Sequence, residues 1–427
     1  MSNNFCIKPF DTLWINPEGT VCVCCKNPVK ISDPSGKNYN VSSDKLSTIW
    51  MSDHMKTLRK KFINGEKPDE CKQCWDEEDT GIQSLRKGTT QTFFESNPDI
   101  DRDLLIKSQE DSPVIRELNL TLTNKCNLAC RICSPYASSL WVKEVVETKE
   151  LMIKNNSPLF NNFIYAMHDD KLSQLSATKF QDDRLVELHS MSKDLRKIFI
   201  YGGEPLINEE ILAYLQQLVT DNLSQNISLI MNTNCTVYKD NIIDLFSKFK
   251  HVVIYLSIDG IDKSYEYQRW PARYSTIEKN IKRYAELKDP FKVAIYVTMS
   301  ILNIIDLEKI LDKFDTYNLG IDLYNQVHTP NILNVRNMPP KLKKEVVRIL
   351  KNIDFTKYKN FNYPKSDHGN FIPNFVNLPP EYNFTYTNTE AYRNDLLTFL
   401  SISDVYRKTL IADYLPDLYQ LLHSGDI

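Results

Sequence analysis

Glycine is scarce in this chain. Eleven glycines stand against 22 tyrosines and 19 phenylalanines in 427 residues, which argues against long flexible linkers. No apolar run approaches the roughly 18 residues of a membrane span, so no transmembrane helix and no membrane partner are expected. The N-terminus, Met1-Ser-Asn-Asn-Phe-Cys6, has no charged segment leading into an apolar core, and no signal peptide is expected. A net charge of -3 gives no electrostatic reason to expect nucleic acid or an anionic membrane. The seven histidines show no ligand spacing. What remains is ordinary soluble usage, 42% hydrophobic and 25% charged, with one to three domains and cytoplasmic residence as the expectation.

Cysteine is the residue that stands out, by placement. Nine of the ten (6, 22, 24, 25, 71, 74, 126, 130 and 133) fall in the first third of the chain, and only Cys235 lies beyond. A disulfide framework suits short secreted chains; close clustering in a reducing compartment points to metal or cluster ligation.

Three regions are expected: a Cys- and turn-rich segment over 1–95, an α/β region over 110–330, and a C-terminal extension over 331–427 that is Asn-, Tyr- and Pro-rich and then helical. In the middle region, short β-branched and aromatic runs predict strands at Val114–Leu122, Lys197–Tyr201, Ile227–Asn232, Val252–Ile258, Phe291–Met299 and Leu319–Asn325. Apolar spacings of three and four predict helices at Glu209–Val219, Ile242–Phe249, Ile277–Leu287 and Asp306–Phe314. Alternation of this kind means parallel pairing with right-handed crossovers. The expected fold is α/β, a partial (β/α)6 TIM-like barrel, with a doubly wound sheet as the alternative. In either, ligands gather beyond the carboxyl ends of the strands. There the sequence places Cys126–Cys133, Gly202-Gly203-Glu204-Pro205, Asn232-Thr233-Asn234-Cys235 and Ser257–Gly260.

Cys126, Cys130 and Cys133 form a C-x3-C-x2-C pattern. Three thiolates on a tight loop can hold three corners of an iron–sulfur cubane and leave one iron open. The competing readings are a zinc site completed from elsewhere, or three buried thiols.

With its spacing and surroundings, this stretch resembles the radical S-adenosylmethionine (SAM) superfamily over about 110–330. Ile132 occupies a slot that is more often aromatic. Tyr201-Gly-Gly-Glu-Pro205 is similar to the family's Gly-Gly-Glu element, and Val253–Gly260 followed by Arg269 to a Ser-x-Asp-Gly…Arg stretch of its peptide- and sugar-modifying members. The resemblance implies an enzyme in which SAM chelates the open iron and is reductively cleaved to a 5′-deoxyadenosyl radical. That radical abstracts a substrate hydrogen, for oxidation, epimerisation or cross-linking. The implied electron donor is a flavodoxin or ferredoxin. By the same resemblance Gly202, Gly203 and Pro205 let the backbone approach SAM, and Glu204 accepts from its ammonium. Arg269 pairs with its carboxylate, and Asn232 or Asn234, with Ser257, offers hydrogen bonds to the ribose.

A second cysteine set lies N-terminal. Asn16-Pro-Glu-Gly19 is a good β-turn and predicts a hairpin joining Leu13–Ile15 to Val21–Val23. Met by the distant Cys71-x2-Cys74, the hairpin brings four thiolates together; a structural zinc would also accept four. The pattern resembles the twitch module, a shortened relative of the SPASM auxiliary-cluster domain, placed ahead of the barrel. On that resemblance Cys6, Cys24, Cys71 and Cys74 hold a second [4Fe–4S] cluster. Strand alternation puts Cys22 on the face of Cys24 and makes it the runner-up, and Cys25 is adjacent.

Cys235 stands where the family more often has glycine. It is either a buried small hydrophobe or a thiol that returns a hydrogen atom to a substrate radical. An insertion is expected over about 134–190, helical at Trp141–Met152 and irregular at Asn155–Asp183; it forms a substrate lid or a surface elaboration. The C-terminal extension, helical over Asn394–Leu422, closes the open side of the barrel or holds a partner. The substrate expected is a peptide or small molecule. The alternatives are a sugar or cyclitol dehydrogenase of the same superfamily and a zinc-binding interaction protein with a degenerate barrel.

Overall fold

The computed structural model describes residues 4–27, 29–79, 83–101, 103, 105, 114–121, 123–155, 182–327, 330–361, 386 and 388–424. By contacts the chain divides into two units: Met1–Thr123, Ala177–Met231 and Asn241–Val252 in the first, and Asn124–Ser176, Asn232–Asp240 and Val253–Ile427 in the second.

The first unit begins with the hairpin, β1 (Thr12–Ile15) and β2 (Val21–Cys22), paired antiparallel. Gly19 sits at φ +80° and donates its N–H to the Asn16 carbonyl at 2.9 Å, a conformation that costs other residues side-chain strain. The hairpin has no sheet of its own. β1 pairs in parallel with β3 (Glu117–Leu120), β3 with β4 (Lys197–Ile200), and β4 with β5 (Ser228–Thr233). Register aligns Leu13, Leu118, Ile198 and Leu229 in one row, all buried. Each such side chain contributes about 2 kcal/mol by leaving water, so a slip of one residue would turn the whole row to the other face. Helices α1 (Asp53–Ile63), α2 (Lys72–Asp79) and α3 (Leu85–Ser96) complete the N-terminal part. Ser52 and Ser84 cap α1 and α3 by accepting from the N–H groups of Met55 and Lys87. Arg86 pairs with Glu78 at 2.6 Å and ties α3 to α2.

In the second unit α4 (Ser139–Lys154) follows the cysteine loop. Further on come α5 (Asp262–Gln268), α6 (Tyr274–Ala285), β7 (Phe291–Met299), α7 (Leu307–Asp315) and β8 (Gly320–Gln326), β7 and β8 being parallel with a bulge at Tyr296/Thr298. α8 (Pro340–Lys351), α9 (Thr389–Arg407) and α10 (Pro416–His423) end the chain. Between β5 and α5 runs β6 (His251–Ser257).

The strand order is β2-β1-β3-β4-β5-β6-β7-β8, one eight-stranded, mostly parallel sheet that stays open. The six expected strands are β3–β8, within a few residues of their expected ends. The expected α/β fold with an unclosed, mostly parallel sheet is present, and the hairpin extends the six expected strands to eight because β1 pairs in parallel with β3. The C-terminal helix is also broken where a single run was expected: Lys408 turns to φ +55° after α9, and Pro416 opens α10. The helix at Trp141–Met152 is present within α4, whereas the expected irregular stretch falls largely on 156–181, outside the described residues. Among the described residues no helix is long and apolar enough to cross a membrane.

Candidate functional site

In the second unit the cysteine loop is held by its backbone. Cys133 donates its N–H to the Cys130 carbonyl at 2.9 Å, Ala129 to Trp270 at 2.8 Å, and Arg131 to Gln268 at 2.7 Å. Asn124 closes the base, its amide reaching the Pro135 carbonyl at 2.9 Å. Cys130 is buried, and Cys126 and Cys133 are half-buried.

Donors surround the sulfurs. The Cys126 Sγ receives the Leu128 N–H at 3.4 Å and the Asn234 Nδ2 at 3.8 Å, and the Cys130 Sγ receives Arg269 Nη1 at 3.8 Å. Burial pushes the Cys133 thiol up to about 12 and raises Cys130, while the Arg269 charge works against the rise at both. On ligating iron these thiols would release their protons, and the donors aimed at Cys126 and Cys130 would stabilise the thiolate charge. The residues present therefore fit a cluster bound at three corners.

Arg269 is itself anchored. Its Nη2 lies 2.6 Å from the fully buried Asp259 carboxylate, whose other oxygen accepts the Thr298 N–H at 2.8 Å. The Ser-x-Asp-Gly…Arg stretch includes Asp259 without indicating a role for it; the buried ion pair is visible only in three dimensions. Asn234 also donates to the Asn127 Oδ1 at 2.9 Å, a partner that the sequence gave no reason to single out. Cys235 is fully buried at φ +62°, a region where glycine is at home, and its carbonyl accepts from Asn280 at 2.8 Å. Ser257 is half-buried on the same face of β6 as Tyr255, whose ring lies 5.4 Å from that of Tyr296 on β7. Asn232 is half-buried at the end of β5.

In the first unit, Gly202 and Gly203 stand at φ +73° and +53° just after β4. A Cβ on Gly202 would lie 2.1 Å from the Thr121 methyl, so the close approach is real and leaves no room for alanine. Glu204 is buried, and one of its oxygens accepts the Leu206 N–H at 3.1 Å, capping the short turn that Pro205 opens. Trp14 and Tyr201 stack at 4.9 Å beside it in the sheet, and Phe199 stacks on Tyr201 at 5.8 Å.

Also in the first unit, Cys6, Cys24, Cys71 and Cys74 line one small recess together with Lys8, Lys26, Arg86, Val23, Phe62 and Leu85. Four thiols within apolar walls that exclude water fit an iron–sulfur cluster, and the three cations beside them are each paired with a glutamate, Glu117, Glu77 and Glu78. Burial pushes Cys6 up to about 12 and raises Cys24 and Cys71, so without a metal these thiols hold their protons. Neither Cys22 nor Cys25 lines the recess. The alternation argument for Cys22 fails because β2 ends at Cys22, and the chain turns before Cys24. The Cys22 thiol is instead buried beside the Asn16 amide, at 3.7 Å. Among the described residues no three His, Cys, Asp or Glu side chains gather around a single metal-ion position.

An open α/β sheet with a three-cysteine loop beyond its first parallel-strand crossover, and a second thiol-lined recess beside its N-terminal hairpin, defines a two-site iron–sulfur protein. The chain carries a radical SAM superfamily domain, matched over residues 120–314, and an iron–sulfur cluster-binding domain, SPASM, matched over residues 6–75. A radical SAM domain carries a [4Fe–4S] cluster and SAM, and a SPASM domain an auxiliary cluster. No curated protein matches the chain. Among solved structures it is similar to anSMEcpe with bound AdoMet, at 18% identity and a TM-score of 0.38, covering 56% of this chain and 58% of that one. It is also similar to Streptococcus suis SuiB bound to S-adenosylmethionine, at 13% identity and a TM-score of 0.33, covering 77% of this chain and 64% of that one. A third is SuiB bound to precursor peptide SuiA, at 13% identity and a TM-score of 0.29, covering 73% and 63%. The chain thus spans little more than half the length of the first of these structures.

Proposed function

We propose that this protein cleaves SAM reductively and uses the resulting radical to modify a peptide. Cys126, Cys130 and Cys133 hold the catalytic [4Fe–4S] cluster, and Cys6, Cys24, Cys71 and Cys74 the auxiliary one. When bound, the cluster and SAM supply a 5′-deoxyadenosyl radical that takes a hydrogen atom from the substrate. The chain's own residues do the rest. Arg269, fixed by Asp259, directs its remaining guanidinium edge toward Cys130 and presents charge for the SAM carboxylate. Asn234 donates to Cys126 and fixes the Asn127 side chain. In the first unit Glu204 is the acceptor proposed for the SAM ammonium, beside the two glycines that give the backbone its close approach; in the second, Asn232 and Ser257 are the proposed ribose partners. The auxiliary cluster passes electrons, with an acidic flavodoxin or ferredoxin as the external donor.

The observation that carries the proposal is the donor set on the three-cysteine loop: Leu128 N–H, Asn234 and Arg269 aimed at two of the three sulfurs. The peptide preference rests on the auxiliary-cluster domain, which the resemblance groups with peptide-modifying enzymes. The half-exposed tyrosines of β6 and β7 are surfaces on which a side chain can pack. Anaerobic incubation of the reconstituted, reduced protein with SAM is expected to yield methionine and 5′-deoxyadenosine in equal amounts. Intact SAM with a fully loaded protein would contradict the proposal. A short precursor-peptide gene beside this one would supply the substrate to add.

A further inference from the structure

The cysteine loop is gripped from the C-terminal extension, beyond residue 314 where the family match ends. Arg131, between the second and third cysteines, is fully buried and pairs with Asp404 near the end of α9. Its Nε donates to the Tyr267 carbonyl at 3.0 Å, and its guanidinium lies 3.8 Å from the Tyr267 ring. Asp404 is saturated: Thr409 Oγ1 at 2.7 Å, the Ile411 N–H at 3.1 Å and the Tyr267 hydroxyl at 3.2 Å also donate to it.

One turn further along the helix, Arg407 pairs with the buried Glu144 of α4 at 2.9 Å. It stacks over Trp141 at 4.9 Å and Trp270 at 5.5 Å. Both indoles belong to residues bonded to the loop. The Trp141 Nε1 donates to the Cys130 carbonyl at 2.6 Å, and the Trp270 carbonyl accepts the Ala129 N–H at 2.8 Å. Both Nη atoms of Arg407 are buried without a hydrogen-bond partner among the described residues. A buried guanidinium with two unused donors is costly unless negative charge arrives nearby, and Trp141, on which it stacks, bonds the Cys130 carbonyl.

We propose that Asp404 and Arg407 are positioning residues of the SAM cluster: α9 clamps the Cys126–Cys133 loop through Arg131, Trp141 and Trp270, and holds the Arg407 charge against the indole that bonds Cys130. The extension is thus part of the catalytic centre. This inference rests on the proposed cluster at Cys126, Cys130 and Cys133.

The test compares wild type with Asp404→Asn, Arg407→Met and the conservative Arg407→Lys, all full-length and reconstituted anaerobically. Wild type should bind about eight irons, from two four-iron clusters. Asp404→Asn and Arg407→Met should keep the auxiliary cluster's EPR signal and lose up to half of the iron. Whatever SAM cluster remains in Arg407→Met should have a more negative midpoint potential, because a nearby cation has gone. Arg407→Lys should restore the potential in part, which mere packing would not do. Both variants showing full iron, wild-type spectra and unchanged potential would overturn the clamp. If Arg407→Met loses both clusters through misfolding, Asp404→Asn, nearly isosteric, decides alone. A wild type that binds only the auxiliary cluster would refute the proposed site itself and not the clamp specifically.

Discussion

Arg269 stands 2.6 Å from the Asp259 carboxylate and turns its other edge to the Cys130 sulfur at 3.8 Å. The pair is buried, and burial raises the Asp259 carboxyl while the guanidinium works against it. Asp259→Asn leaves Arg269 without its counter-charge and should cost on the order of 3–5 kcal/mol of stability, measured by urea unfolding. Arg269→Lys keeps the charge and loses the fork; SAM affinity by calorimetry should weaken by about tenfold or more.

The recess lined by Cys6, Cys24, Cys71 and Cys74 makes a prediction that separates neighbours in sequence. Cys24→Ala should cost about four of eight irons, whereas Cys22→Ala, a change outside the recess, should retain all. Iron and sulfide analysis of the two variants checks this directly.

Much of this arrangement is legible in the sequence. The C-x3-C-x2-C spacing, the Gly-Gly-Glu turn and the βα alternation identify the catalytic region because each is a local pattern. The attachment of β1 to β3 is not local: it depends on two apolar rows 105 positions apart, paired as Leu13 with Leu118. The partner of Arg131 is hidden for the same reason. Asp404 lies 273 residues from Arg131, and nothing in the spacing of charged residues announces a buried pair. The choice between Cys22 and Cys24 turned on where a two-residue strand stops, which propensity does not resolve.

Asp11 is buried beside Glu117, and burial pushes its carboxyl up to about 6. An unfolded aspartate titrates near 3.9. Between those values the folded state holds more protons, so Asp11 withdraws stability as pH rises from about 4 to 6 and the deficit stays above. Asp11→Asn removes this penalty, on the order of 2–3 kcal/mol at neutral pH. The stability gap between variant and wild type should widen from pH 4 to pH 7 in chemical denaturation; a constant gap would refute the assignment.

Gly202 is confined by the Thr121 methyl as well as by φ +73°. Gly202→Ala should destabilise by about 2 kcal/mol or more. Adding Thr121→Ser, which deletes the clashing methyl, should recover part of that loss but leave the backbone strain. Thermal unfolding of the single and double variants separates the two contributions.

Cys235 is fully buried at φ +62°, enclosed next to Asn280 and Thr233. That placement favours packing at a turn, which predicts that Cys235→Ala still forms product once the substrate is known. 5′-Deoxyadenosine formed without product would instead assign the thiol to hydrogen-atom return.

The central claim is an iron held by three cysteines and open to SAM. EPR of the dithionite-reduced protein, with and without SAM, tests it most directly. The account predicts that SAM perturbs one of two cluster signals, and that the Cys126→Ala/Cys130→Ala/Cys133→Ala variant keeps only the signal that SAM leaves unchanged. Two signals both indifferent to SAM, or a SAM response that survives in the triple variant, would contradict it.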